Sequence, residues 1–127
     1  AGLLLMEAGF RLREYLHPPA GKGFFWVPST LYGWGLAPGR EAPFYNDQNE
    51  FRTTIRINSL GLRDVEHDYE KAPGVYRILI LGDSYMEALQ VEEDEMFARL
   101  LEAQLGAGRD RRVEVINTGV SAWGTDN

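Results

Sequence analysis

Val75-Tyr76-Arg77-Ile78-Leu79-Ile80-Leu81 runs on with no apolar–polar alternation and ends on Gly82-Asp83-Ser84. An unbroken apolar run of this length is what a parallel strand covered on both faces looks like. Pro73-Gly74 precedes it as a break, and an amphipathic stretch follows. Ser84 is therefore expected at the carboxyl end of a strand, at the mouth of an open α/β sheet where ligands bind. Such a serine is a candidate nucleophile, but its hydroxyl is weak until a base takes its proton. The only two histidines, His17 and His67, both precede it.

The rest of the C-terminal half fits the same architecture. Phe97, Leu100, Leu101 and Leu105 recur at helical spacing, which predicts a helix over about 94–105. Acidic residues of the stretch Glu92-Glu93-Asp94-Glu95 would fall in its first turn, where they complement the positive end of the helix dipole. They read as a solvated helix start rather than a metal site. Gly106-Ala107-Gly108 ends the helix, and Val113-Glu114-Val115-Ile116-Asn117 forms a second short strand. A strand, helix and strand of these lengths imply a right-handed parallel crossover. Asn117-Thr118-Gly119-Val120-Ser121 then lies at the same sheet edge as Ser84. A glycine there permits close backbone approach, and its amide could face negative charge developing beside the serine.

Before residue 73 the texture differs. Residues 1–17 open with the apolar Ala1-Gly2-Leu3-Leu4-Leu5-Met6, which meets Glu7 far short of the roughly 20 apolar residues a spanning helix needs. Two readings stay open: an amphipathic helix through about Leu16, with Leu3, Met6, Phe10 and Leu12 or Arg13 near one face, or the tail of a membrane anchor that begins upstream. Pro18-Pro19-Ala20-Gly21-Lys22-Gly23 breaks that helix. Residues 18–72 are rich in aromatics, glycine and proline, which reads as short strands and turns, residues 52–58 being the best strand. The aromatics Phe24, Phe25, Trp26, Tyr32, Trp34, Phe44, Tyr45 and Phe51 suit a sugar-stacking platform. They suit a packing layer against the following unit better, because aromatics dominate small cores. Residues 58–64 look like a turn-rich connector.

Composition excludes several classes. With 127 residues and 44% hydrophobic content the chain has the size and apolar content of one ordinary domain. A net charge of −6, with Arg109-Asp110-Arg111-Arg112 as the only basic cluster, argues against a nucleic-acid partner. There are no cysteines, hence no disulfides and no thiolate metal sites. No metal or cofactor is expected.

Taken together, Arg77-Ile-Leu-Ile-Leu-Gly-Asp-Ser84 resembles the first sequence block of the SGNH (GDSL-like) hydrolases, and Asn117-Thr-Gly-Val-Ser121 is similar to their second. Asn58-Ser-Leu-Gly-Leu-Arg-Asp64 and Trp34-Gly-Leu-Ala-Pro-Gly39 resemble the leader of envelope-associated bacterial members. The resemblance implies an α/β, flavodoxin-like three-layer sandwich, of which residues 73–127 hold only the first strand-helix-strand unit after a β-type leader. It implies ester hydrolysis on an acyl or acetyl ester, a small molecule or a glycan, through an acyl-serine intermediate. Ser84 would be the nucleophile and, with Gly119, would supply backbone N–H donors to the oxyanion. Gly82, Asp83 and Asn117 take supporting places around them, Asp83 shaping the turn rather than serving as triad acid. An extracytoplasmic or membrane-anchored setting in the bacterial envelope follows from the same likeness.

The family's Gly-x-Asn-Asp block and its Asp-x-x-His pair have no counterpart downstream of Ser121. Asp64-Val65-Glu66-His67 has the second spacing but precedes the nucleophile strand, and His17 reads as a loop or helix-end residue. The 127 residues by themselves are thus expected to be inactive, with a bare strand edge suited to the remainder of the same domain or to another copy. The alternative is a non-catalytic binding or anchoring module on a hydrolase-like scaffold. A phosphate cradle at Gly82 fits less well, because Asp83 would repel the anion.

Overall fold

β-branched Thr53, Thr54 and Ile55 build strand β4 (Arg52–Arg56), which pairs antiparallel with β3 (Glu41–Tyr45) in a computed structural model that describes residues 2–16, 25–46, 48, 50–108 and 112–126. A shorter hairpin, β1 (Trp26–Ser29) with β2 (Gly33–Leu36), precedes it. The leader is therefore two hairpins, and the strand expected over 52–58 stops at Arg56. Ile57 and Asn58 continue as the connector, whose turn is held by Asn58: its Oδ1 accepts from Leu60 N and Leu62 N at 3.0 and 2.9 Å, and its Nδ2 donates to Val65 O at 2.9 Å.

β5 (Tyr76–Ile80) and β6 (Val113–Asn117) pair in parallel, Ile78 opposite Val115, with helix α3 (Phe97–Gly106) as the crossover. The mixed helix and strand architecture with a parallel pair is compatible with the α/β class. Ala98, Leu101 and Leu105 of α3 pack on Ile78, Ile80, Val113 and Val115, whereas Phe97 and Leu100, expected on the same face, are exposed. Gly106 ends α3, as expected.

Two expectations need correction. The acids do not open α3: Glu93–Glu95 form a separate 3-10 turn, and Met96, extended and buried, stands between that turn and the helix. Burying Met96 fixes the chain at this point, so the helix restarts after it. Nor is β5 covered on both faces among the described residues, since Leu79 and Leu81 are 57% and 76% exposed while α3 covers Ile78 and Ile80.

The two edges of this sheet also differ. Beyond β6, side chains take the place of a strand: Glu102 Oε2 accepts from Val115 N at 2.6 Å, Asp64 Oδ2 accepts from Asn117 N at 2.7 Å, and Arg99 donates to Val115 O. These groups close the edge against further pairing. Beyond β5 no strand pairs among the described residues.

A second core joins the leader to the α/β unit across residues 72 and 73. Phe25, Leu36, Ile55 and Ile57 pack with Leu89 and Val120, flanked by Trp26, Trp34, Phe44 and Trp123. Burying a side chain such as Phe25 or Ile55 contributes about 1.5–3 kcal/mol, and Phe25, Trp26, Trp34 and Phe44 act as the packing layer expected of the aromatics. Thr53 Oγ1 donates to Leu89 O at 2.7 Å and seals the junction.

At the N-terminus the chain forms α1 (Gly2–Leu16), in which Leu3, Leu5, Met6, Phe10 and Leu12 are all exposed. No described helix is long and apolar enough to cross a membrane. The predicted break at 18–23, His17, Phe24 and most of the 109–112 basic cluster lie outside the described residues.

Candidate active site

β5 ends by delivering Gly82, Asp83 and Ser84 into a one-turn helix, α2 (Ser84–Glu87). Asp83 is its N-cap: Oδ1 accepts from Tyr85 N at 3.0 Å, which holds the turn that presents Ser84. Ser84 is exposed, and its Oγ makes no hydrogen bond among the described residues.

The loop after β6 is fastened to this turn. Thr118 N and Oγ1 both donate to Ile80 O, at 3.0 and 2.8 Å, and Val120 N donates to Gly82 O at 3.2 Å. Asn117 Nδ2 donates to Met86 O at 2.8 Å and to Arg63 O at 3.3 Å, bracing β6 against α2 and the connector. Asn117 Oδ1 accepts from Gly119 N at 3.1 Å. Gly119 is buried, so its N–H reaches a substrate oxygen only if it leaves or shares that acceptor. Both glycines lie against α2. A Cβ on Gly119 would stand 2.5 Å from Met86 Cβ and 2.6 Å from Glu87 N, and one on Gly82 would stand 2.3 Å from Met86 Cγ. Ser84, Gly82, Asp83, Asn117 and Gly119 are thus brought together in one place.

A cleft of about 570 Å³ borders two of them, Gly82 and Asp83, and is walled also by Leu81, Thr118, Trp123 and Gly124 among others; Ser84, Asn117 and Gly119 do not line it. Leu81, Thr118 and Trp123 also wall a neighbouring groove of about 460 Å³ that runs to the β1–β2 hairpin.

No histidine joins this group among the described residues. Asp64 and His67 do meet, Oδ2 to Nε2 at 3.0 Å, but they are buried behind β6. His67 Nδ1 faces Glu114 Oε1 at 2.9 Å, Arg77 Nε donates to Glu114 Oε2 at 2.5 Å, and Arg99 reaches Asp64 Oδ1 at 3.0 Å. Each ring nitrogen of His67 thus faces a carboxylate, which places the ring at the centre of a chain of five ionisable side chains from Arg77 to Arg99. Partial burial works against the Glu114 carboxylate, yet Arg77 and His67 together hold its carboxyl below the usual range. The Asp-x-x-His spacing thus marks a clamp that ties the connector to β6.

Sequence reasoning also missed the polar cluster under α2. Glu87 is fully buried; its Oε2 accepts from Ser121 N at 2.5 Å and from Ser121 Oγ. Arg63, also buried, donates to Glu87 O at 2.5 Å and to Val91 O at 2.6 Å. Burial lowers the Arg63 guanidinium to about 10, which leaves it charged at neutral pH. Glu87 Oε1 has no hydrogen-bond partner among the described residues, and the Trp26 indole N–H approaches this carboxyl without reaching full hydrogen-bond geometry. Ala88 and Ala122, the residues immediately after Glu87 and Ser121, both have positive φ, 51° and 63°. Left-handed alanines cost backbone energy, so the surrounding bonds hold these two turns in place. No sequence motif signalled the cluster, because its partners lie 24 to 34 residues apart.

Burial pushes the Glu87 carboxyl up, against the Ser121 hydrogen bonds and Arg63, which pull it down. A folded-state value above the unfolded one makes this group's contribution to stability largest below the ordinary carboxylate range. That contribution falls as pH rises to the raised value. Glu87→Gln is expected to flatten the fall, read as urea midpoints from about pH 4 upward. An unchanged slope would show that burial of the charge is fully offset.

Among the described residues no group of three or more His, Cys, Asp or Glu side chains is arranged to hold a metal ion. The chain matches no protein-family model and no curated protein.

Proposed function

We propose that this chain carries the nucleophile portion of a serine ester hydrolase of the SGNH type. The observation that supports it best is the exposed Ser84 at the β5–α2 turn, which Asn117 braces to the Gly119 loop, next to Gly82 and Asp83 in the wall of a cleft. In this reading Ser84 Oγ attacks the ester carbonyl carbon while a base takes its proton. The carbonyl oxygen becomes an oxyanion facing Ser84 N–H and a Gly119 N–H released from Asn117. Expulsion of the alcohol leaves an acyl-serine, which water hydrolyses. The flavodoxin-like sandwich belongs to this proposal too, with the open β5 edge as the place where its sheet would continue. So does an envelope location, which the exposed apolar side chains of α1 support.

His67 is locked between two carboxylates, so the reading needs a base from polypeptide outside the described residues. The 127-residue chain is expected to show no labelling by a fluorophosphonate above that of Ser84→Ala. A polypeptide that continues past Asn127 and supplies a histidine should label at Ser84 faster by about 10²–10⁴. Equal labelling of that polypeptide and its Ser84→Ala variant would remove Ser84 as nucleophile. A binding module would then be the better reading, favoured already by the Gly119 N–H being engaged by Asn117.

A further inference from the structure

We propose that Glu87 is a positioning residue of the Ser84–Gly119 site. Its buried carboxylate latches the loop through Ser121, and a proton taken up from solvent on that carboxylate frees the loop, so that the Gly119 N–H leaves Asn117. The use of the freed N–H as an oxyanion donor rests on the hydrolase reading above. The latch itself does not.

Glu87 is the last residue of the single turn that Ser84 opens, so what holds Glu87 also holds Ser84. The residue meets the loop twice. Its backbone N is the atom that a Cβ on Gly119 would approach to 2.6 Å, and its side chain binds Ser121 two residues further on. The other amide ties of this loop run from Thr118 N to Ile80 O, from Gly119 N to Asn117 Oδ1 and from Val120 N to Gly82 O. Of these four amides, only Ser121 N ends on a group that can change charge. The β1–β2 hairpin secures the far end, where the Trp34 indole N–H donates to Ser121 O at 2.9 Å. Thr118 and Ser121 O therefore anchor the loop, and its middle can turn once the latch opens.

The two carboxylate oxygens have different surroundings. Oε2 accepts from both Ser121 N and Ser121 Oγ, whereas Oε1 has no hydrogen-bond partner among the described residues. A proton on Oε1 would be a buried donor without an acceptor, which is unfavourable. A proton on Oε2 instead reverses the bond to Ser121 Oγ, which becomes the acceptor, and Ser121 N loses its own. The groups acting on the carboxyl are Ser121 of the loop, Trp26 of the hairpin and Arg63 of the connector, of which Arg63 alone is charged. Glu92 and Glu93 act on Arg63, which stays a cation at a value of about 10. Burial favours the neutral carboxyl against Arg63 and the Ser121 bonds. The left-handed Ala88 and Ala122, one after each partner of the latch, add backbone strain that its release relieves.

An NMR titration of the 127-residue chain from about pH 4 to 8 tests this, following the Glu87 carboxyl carbon and the amides of Gly119, Ser121 and Leu101. Leu101 lies inside α3 and reports the fold as a whole. The Gly119 and Ser121 signals should move with the midpoint of the Glu87 carboxyl carbon. On the acid side of that midpoint their hydrogen-exchange protection should fall by about tenfold or more, with that of Leu101 unchanged. In Glu87→Gln, which cannot titrate at this position, both signals should lose that midpoint. The wild-type titration decides the matter by itself if Glu87→Gln does not fold.

Gly119 and Ser121 signals that ignore the Glu87 midpoint, protection lost in step with Leu101, or a midpoint that persists in Glu87→Gln would overturn the inference. Titrating amides in a protein whose extended form does not label at Ser84 would remove the esterase and leave the latch. Labelling at Ser84 with amides indifferent to Glu87 would do the reverse.

Discussion

Gly119→Ala is expected to lower the stability of the fold by about 3 kcal/mol or more, at the upper end of what overpacking costs. The added Cβ would lie 2.6 Å from Glu87 N and 2.7 Å from Met86 C, which are backbone atoms of α2. No rotamer change relieves such a clash. The strand-end loops must separate instead, losing the bonds from Asn117 to Met86 O and from Val120 N to Gly82 O. A melting temperature lower by about 10 °C should be seen by circular dichroism. Gly82→Ala presses mainly on the Met86 side chain, at 2.3 Å from Cγ and 2.8 Å from Cβ. It should cost less, and Met86→Ala should restore part of the loss in a double-mutant cycle. If Gly119→Ala melts within 2 or 3 °C of wild type, about the effect of 1 kcal/mol or less, the loops are not in the close contact described.

Asp64→Ala is the second large effect, expected at about 3–5 kcal/mol, the cost of breaking a buried ion pair from one side. Asp64 faces His67 Nε2 and Arg99 and accepts from Asn117 N and Val65 N, so its removal strands a guanidinium, a buried imidazole nitrogen and a strand-edge N–H. The same clamp carries a pH signature through Glu114. Its carboxyl is held below the usual range, so the stability it contributes is present above the unfolded value. That stability is lost as pH falls through the folded one. Glu114→Gln should therefore reduce the acid sensitivity of unfolding below about pH 4, measured as urea midpoints against pH. If Asp64→Ala unfolds at the wild-type midpoint, the chain of five ionisable side chains contributes no net stability.

Much of the local structure was legible because it is written in short-range patterns. The apolar run ending at Gly82 gave β5 and its turn, Phe97 to Leu105 gave α3 apart from its start, and residues 113–117 gave β6. Sequence spacing also placed Gly82, Asp83, Ser84, Asn117 and Gly119 at one sheet edge. Periodicity did not reveal that Met96 would be buried and extended, because one residue's burial depends on what packs over it. It also overstated the cover on β5, since an apolar residue pattern does not say whether a second layer is present.

The sequence by itself determined the turn chemistry: a capping aspartate before a serine, and glycines where two backbones meet. Only the tertiary structure decided what those pieces face. It turned Asp64 and His67 into a clamp behind β6, engaged the Gly119 N–H with Asn117, and buried Glu87 beside Ser121 and Arg63. Turn geometry depends on neighbours in the chain, whereas burial and charge pairing depend on groups tens of residues away that only folding brings within hydrogen-bond range.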